Sequence, residues 1–227
     1  MSSFKEINET RNIILNPSDF GRVAVMFGGS SSEREISLRS GKAVIKALLS
    51  RGIDAHPWDP HEKSMGDFEK VGFDRAWIAL HGTNGEDGVI QENLERLHTP
   101  YTGSGVKASA TAMNKLLSKK LFRSANIPTP NFDVARNYED ASIATEKIGF
   151  PSIIKPLCQG SSVGMSKVFN RSDLTDAIDK ALLYGEEVLV EECIDGDEIT
   201  ISILQGEALP SIRIITPHVF YDYDAKY

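Results

Sequence analysis

The stretch IIKPLCQGSSVGMSKV, residues 153–168, decides how the rest of the chain is interpreted. Two short apolar runs flank a loop of small residues, and Lys155 stands near the end of the first run. Glycine lets a backbone pass close to a ligand and turn its N–H groups toward it. Serine adds hydroxyl donors and lysine adds a positive charge. The pattern therefore predicts two strands joined by a loop suited to nucleotide phosphates, although a plain hairpin would also explain its small residues.

This loop does not follow the pattern of a P-loop. In Gly-x-x-x-x-Gly-Lys-Ser/Thr the lysine comes after the glycines and a helix begins at once. Here Lys155 precedes Gly160 and Gly164, and a second β-like run follows. The order of these residues therefore argues against a P-loop.

Bulk composition narrows the class of protein. With 227 residues, the chain can bury one large core or two modest ones. A net charge of -7 without an arginine-rich tract argues against a nucleic-acid partner. Cys158 and Cys193 show no metal-ligand spacing, which fits a reducing compartment. Because the chain lacks a signal-peptide pattern and a membrane-length apolar run, we expect a cytoplasmic protein without a membrane partner.

Two β–loop–α patterns predict an N-terminal, Rossmann-like parallel α/β domain. The apolar runs at 23–27 and 75–80 are each followed by a polar loop and a helical pattern. Ligands of open α/β sheets bind beyond the carboxyl ends of the strands, where Glu33 and His81 fall. A carboxylate such as Glu33 suits a substrate ammonium. The glycines at 28–29 do not match Gly-x-Gly-x-x-Gly, so a dinucleotide site is poorly supported.

The second half of the chain reads as a mixture of helices and strands. We expect residues 101–105 to form a domain boundary, followed by one helix with an apolar face that includes Leu117 and Leu121. Lys119 and Lys120 are expected on its solvated face. Strict alternation at 199–203 predicts a strand with one packed face.

Five ordered motifs resemble those of the D-alanine–D-alanine ligase family of ATP-grasp enzymes, and the resemblance runs from Val23 to Tyr227. The motifs are GGSSSERE at 28–35, LHG with GEDG at 80–88, YTGSG at 101–105, GSSVGM at 160–165 and FYDYDAKY at 220–227. The resemblance implies an N-terminal substrate-binding domain followed by an ATP-grasp α+β domain. The boundaries expected from it are a 1–21 extension, a 22–104 substrate-binding domain, a 105–192 central domain and an incomplete 193–227 C-terminal domain.

What the family implies is an ATP-dependent ligase that joins two D-alanine molecules for peptidoglycan synthesis through an acyl phosphate. It also implies a homodimer. Two alternatives stay open from the residues: another ATP-grasp carboxylate–amine ligase, or a non-catalytic nucleotide-binding fragment.

The resemblance also implies ATP-binding residues. Those expected at the phosphates are Lys115, Lys155, Gly160, Ser161, Ser162, Val163 and Lys226. Those expected at adenine are Glu191, Glu192 and Ile194, with Glu198 at the ribose. Cys193 stands where relatives often carry tryptophan.

A second implied set concerns the substrates. Glu33 would hold the ammonium of the first D-alanine, and His81 would lie near its carboxylate. Glu33, Ser161 and Tyr227 would form a catalytic hydrogen-bonded trio. Tyrosine at 227, where depsipeptide-forming relatives carry phenylalanine, favours an amine as the second nucleophile.

The resemblance assigns no metal-binding residue within this sequence. The family uses Mg²⁺ or Mn²⁺, with ligands expected beyond residue 227. Asp222 and Asp224 match none of those ligands, so no metal residue is assigned. On this reasoning the chain is expected to be an incomplete version of a longer ligase and not to turn over by itself.

Overall fold

A computed structural model describes residues 16–204 and 206–216. The chain divides into two compact units between Ser109 and Ala110, the N-terminal unit and the C-terminal unit. The domain boundaries expected at residues 22, 105 and 193 remain predictions. No helix of the described part is long and apolar enough to cross a membrane.

The N-terminal unit contains a parallel three-stranded sheet with the order β2-β1-β3. The strands are β1 Arg22–Met26, β2 Asp54–Trp58 and β3 Arg75–Ile78, and the helices are α1 Arg34–Ser50, α2 Met65–Val71 and α3 Val89–Arg96. A 3₁₀ turn at Pro17–Phe20 precedes β1, and α4 Val106–Met113 spans the division between the units. Two expected β–α patterns are thus present.

The third β–α pattern of this unit, β2 with α2, was missed. Its strand DAHPW is short, polar and contains Pro57, and proline argues against a central strand. The structure resolves the conflict by placing β2 at one edge of the sheet, where it pairs only with β1 among the described strands. Trp58 at its end is buried against Phe68 of α2.

Apolar side chains cover both faces of this sheet, as expected for a strand buried on two sides. Along β1, Ala24 and Met26 belong to one apolar cluster with residues of α2 and α3, whereas Val25 belongs to another that contacts α1. Because β1 and β3 are parallel neighbours, their carboxyl ends lie at the same edge of the sheet, and the loops that follow them are adjacent.

The C-terminal unit contains an antiparallel four-stranded sheet with the order β4-β7-β5-β6. Its strands are β4 Phe132–Ala135, β5 Ser152–Pro156, β6 Ser166–Val168 and β7 Val188–Glu192, and its helices are α5 Lys115–Ser124, α6 Tyr138–Ile148 and α7 Leu174–Leu182. Helices α6 and α7 share an apolar cluster with the sheet. The expected pair of strands around the small-residue loop is confirmed, because β5 and β6 pair antiparallel.

Four short strands follow: β8 Glu198–Thr200, β9 Ile203–Leu204, β10 Glu207–Ala208 and β11 Ile212–Ile214. They form two antiparallel pairs, β9 with β10 and β8 with β11. The packed face expected for residues 199–203 is wrong, because all five of these residues are exposed. Alternation reports which side chains share a face, and it does not show that another layer covers that face.

Candidate functional site

The small-residue loop (residues 160–165) joins β5 to β6 and has an unusual backbone. Ser161, Ser162 and Gly164 all have positive φ, at 50°, 59° and 69°. Such turns direct successive N–H groups toward a common point and favour anions. A Cβ on Gly164 would lie 2.8 Å from Pro156 and from the ring of Tyr184, so this position requires glycine.

Lys115 is brought to this loop by the start of α5. Asn114 caps the helix, since its side chain accepts a hydrogen bond from the N–H of Leu117 at 3.1 Å. The ammonium of Lys115 donates to the carbonyl oxygen of Gln159 at 2.5 Å, and its backbone N–H donates to that of Leu157 at 3.0 Å. Its charge therefore lies beside the loop.

A cavity of about 240 Å³ lies between the loop and two lysines. Six of the residues expected at the phosphates line it: Lys115, Lys155, Gly160, Ser161, Ser162 and Val163. Hydroxyls, glycine amides and two ammonium groups thus surround one space. That arrangement suits a polyanion.

A larger cavity of about 670 Å³ shares Lys155, Ser162 and Met165 with the first. The residues expected at adenine and ribose also line it: Glu191, Glu192, Ile194 and Glu198. Cys193 lies on the same wall. The C-terminal unit therefore brings together every described residue of the ATP-binding set, and their roles remain predictions.

The side-chain carboxylates of Glu191 and Glu192, at the end of β7, already have partners within the protein. Each oxygen of Glu191 forms an ion pair with a lysine, Lys119 or Lys155. Glu192 accepts hydrogen bonds from the backbone and side-chain nitrogens of Asn131, at 3.2 and 3.1 Å. Any contact of these two residues with adenine would therefore come from their backbone or from a rearranged side chain.

The expectation that Lys119 lies on a solvated face is wrong, whereas Lys120 is exposed as expected. Lys119 is buried, and the expected apolar positions Leu117 and Leu121 are about half exposed, at 47% and 55%. The expected single helix also breaks at Asn114 into α4 and α5. Burial lowers the pKa of Lys119, and the carboxylate of Glu191 opposes that change.

In the N-terminal unit, Glu33 and His81 lie in neighbouring loops at the carboxyl ends of β1 and β3. Glu33 is buried, and its N–H donates to Ser31 Oγ, which donates in turn to the carbonyl oxygen of His81 at 2.7 Å. His81 Nε2 lies 3.1 Å from Ser40 Oγ. A Cβ on Gly82 would come within 2.9 Å of Glu33 Oε2, so the two loops approach closely.

Sequence reasoning missed Asp59, which supports this edge. It lies directly after β2, pairs with Arg34 at 2.8 Å and accepts hydrogen bonds from the N–H groups of Gly29 and His61, each at 2.9 Å. Burial alone would raise the pKa of Asp59, but these bonds outweigh it and lower the pKa. The sequence signal for Asp59 was its position directly after Trp58. That signal was weak, because Pro57 argues against a strand at residues 54–58.

The remaining expected residues, Lys226 and Tyr227, fall outside the described residues, as do Asp222 and Asp224. Glu33 and Ser161 lie in different units, so the trio with Tyr227 stays a prediction. Across residues 16–204 and 206–216, no group of three or more His, Cys, Asp or Glu could hold a metal ion.

The loop amides, hydroxyls and lysines beside a larger cavity form a site of an α/β protein that suits a phosphate-bearing ligand. The family model described as "D-ala D-ala ligase C-terminus" matches residues 121–227. The D-alanine–D-alanine ligase of Pseudomonas entomophila is 48% identical over 226 residues, which cover 100% of this chain and 70% of that relative. That of Pseudoalteromonas atlantica is 46% identical over 97% of this chain and 70% of its own length. The chain belongs to the D-alanine–D-alanine ligase family.

Solved structures agree with this assignment. A crystal structure of the D-alanine–D-alanine ligase from Bacillus anthracis matches with a TM-score of 0.77 and 37% identity, over 91% of this chain and 68% of that one. The same enzyme complexed with ATP matches with a TM-score of 0.76 and 33% identity, over 88% and 68% of the two chains. The chain thus spans about 70% of the length of these relatives.

Proposed function

We propose that this protein joins two D-alanine molecules into D-alanyl-D-alanine at the expense of ATP, for peptidoglycan precursor synthesis. The single observation that carries the proposal is that the small-residue loop lines two adjoining cavities, one of them together with both Lys115 and Lys155. The relatives at 46–51% identity are D-alanine–D-alanine ligases, which favours this ligation over the two alternatives. We also propose that the N-terminal unit is a Rossmann-like substrate domain and that the C-terminal unit is part of an ATP-grasp fold.

The chemistry requires activation of a carboxylate, which is a poor electrophile. Transfer of the terminal phosphoryl group of ATP to a carboxylate oxygen of the first D-alanine forms an acyl phosphate and ADP. The amine of the second D-alanine then attacks the carbonyl carbon, loses a proton, and displaces inorganic phosphate. Most of the work of phosphoryl transfer is positioning and neutralisation of charge.

The residues of the C-terminal unit suit the nucleotide half of that reaction. The ammonium groups of Lys115 and Lys155 and the amides of the small-residue loop would neutralise the phosphates. Residues 191–194 and Glu198 border the larger cavity, where adenine and ribose would lie. The loop would close over a bound nucleotide.

The residues of the N-terminal unit suit the first D-alanine. Glu33 carries a carboxylate in a buried position, where an ion pair with an ammonium gains strength from the low dielectric. His81 lies in the adjoining loop, where it would meet the substrate carboxylate. Glu33 would thus fix the position of the ammonium of the first D-alanine.

A divalent cation bound with the nucleotide would supply charge neutralisation in such a transfer. The described residues provide no carboxylate cluster that fits Mg²⁺ or Mn²⁺. No step is therefore assigned to the metal here. A cytoplasmic location, where ATP is supplied, and a homodimer belong to the same proposal.

The test is phosphate release by the complete gene product that contains these 227 residues. Release should require both ATP and D-alanine, and mass spectrometry should detect D-alanyl-D-alanine in equal amount. Equal release with L-alanine or another amino acid would favour a different carboxylate–amine ligase. Nucleotide binding without release would favour the non-catalytic alternative, and either result would contradict the proposal.

A further inference from the structure

The buried ammonium of Lys119 takes no part in the roles described above. It pairs with one carboxylate oxygen of Glu191, and donates to Thr129 Oγ1 at 2.7 Å and to the carbonyl oxygen of Pro130 at 3.2 Å. An ammonium has three hydrogens, so these bonds use all of them. The ring centroid of Phe132 lies 5.0 Å away and adds a cation–π contact. Lys119 is therefore held firmly in place.

Lys155 shares the same carboxylate but is held less firmly. It pairs with the other oxygen of Glu191, and 21% of its side chain is exposed, against 7% for Lys119. It also borders both cavities, where the phosphates of a nucleotide would lie. A phosphate in either cavity would compete with Glu191 for the ammonium of Lys155.

Glu191 cannot follow Lys155 into the cavity. Its strand, β7, is hydrogen-bonded on both sides, with Glu191 opposite Phe132 of β4 and Ile153 of β5. Its side chain is 8% exposed. Removing one partner of a buried carboxylate is strongly destabilising, because the buried charge is then less compensated.

We propose that Lys119 is a positioning residue for phosphate binding. Lys119 stays paired with one oxygen of Glu191. When Lys155 turns from the other oxygen toward the nucleotide, the buried carboxylate therefore still has one cation beside it. The inference rests on the proposed nucleotide-binding function and adds a role outside the ligand contacts. Lys119 acts through Glu191 and does not touch the nucleotide.

Two substitutions should move phosphate recognition in opposite directions. Lys119→Met removes the second cation, so Glu191 retains Lys155 and phosphate binding weakens. Glu191→Gln removes the carboxylate that competes for Lys155, so phosphate binding strengthens. The measured quantity is the dissociation constant of adenosine divided by that of ADP, obtained by calorimetry on the purified protein. Adenosine lacks phosphates, so changes at the adenine wall cancel in this ratio.

We expect Lys119→Met to lower the ratio at least about tenfold, because a buried carboxylate has lost one of two cations. Glu191→Gln should raise it. In the Glu191→Gln background, adding Lys119→Met should change the ratio by less than about twofold, because no buried negative charge remains. Lys120→Met, on the exposed face of the same helix, is the matched control and should leave the ratio unchanged.

A purely structural role for Lys119 gives a different pattern. Lys119→Met would then weaken ADP and adenosine binding equally, and an unchanged ratio would overturn the inference. If Lys119→Met does not fold, the comparison of Glu191→Gln with the double variant still decides, since a lowered ratio in either contradicts the proposal. A wild-type protein that binds neither ADP nor adenosine would instead overturn the proposed function itself.

Discussion

Gly41 lies in the middle of α1, and its replacement by alanine is expected to destabilise the N-terminal unit. Glycine in a helix interior is normally unfavourable, so alanine would be expected to stabilise. Here a Cβ on residue 41 would lie 2.1 Å from Cγ of Phe27 and 2.3 Å from both Cβ and Cδ1. These distances are far below van der Waals contact. Phe27 is only 8% exposed, so its ring has little room to move away.

The two opposing terms can be compared. Alanine gains about 1 kcal/mol over glycine in helix propensity. Overpacking of a well-packed core costs about 1–3 kcal/mol, and overlap with three atoms of one side chain places this site at the upper end. The net expectation is a loss of about 2 kcal/mol in the free energy of unfolding. Gly66→Ala in α2 is the matched control, because its nearest atom is Ser64 Oγ at 3.7 Å.

The assay is urea unfolding followed by tryptophan fluorescence. The only two tryptophans of the sequence, Trp58 and Trp77, lie in β2 and β3, so the signal reports on the N-terminal unit. We expect Gly41→Ala to lower the midpoint and Gly66→Ala to raise it slightly, with equal m-values. A Gly41→Ala protein as stable as the wild type would refute the packing argument.

Three further predictions concern the candidate site. Glu33→Gln should raise KM for D-alanine at least about tenfold, because a charged hydrogen bond to the ammonium is lost, whereas the exposed Glu35→Gln should not. The folded-state pKa of Asp59 lies below its ordinary value of 3.8, so its stabilisation is present above that value and is lost as pH falls through the folded pKa. Urea unfolding between about pH 2 and 7 should therefore show a shallower acid loss in Asp59→Asn, and an identical profile would contradict this. Tyr227→Phe should raise the ratio of D-alanyl-D-lactate to D-alanyl-D-alanine formed, and an unchanged ratio would reject the specificity hypothesis.

Sequence patterns predicted the local parts of the candidate site. The strand, small-residue loop and returning strand at residues 153–168 were recognisable because strand formation and tight turns depend on neighbouring residues. The meeting of the loops that carry Glu33 and His81 followed from a topological rule, since parallel strands present their carboxyl ends at one edge. Both features can be predicted from local sequence patterns and from the direction of parallel strands.

Helix α5 shows where such patterns fail. Apolar spacing predicted that Leu117 and Leu121 face the interior, but the structure exposes them and buries Lys119. A lysine is stable there because Glu191 approaches it from a strand far along the chain. Spacing within a helix contains no information about that partner.

By itself, the sequence determined the two strands around the small-residue loop, the two β–α patterns that carry Glu33 and His81, and the residue types of that loop, since these depend on residues close together in the chain. Only the tertiary structure decided which charges are buried and paired: Lys119 and Lys155 on Glu191, and Arg34 on Asp59. The physical reason is that the free energy of a buried charge depends on its partner and on the exclusion of water, and both come from distant segments.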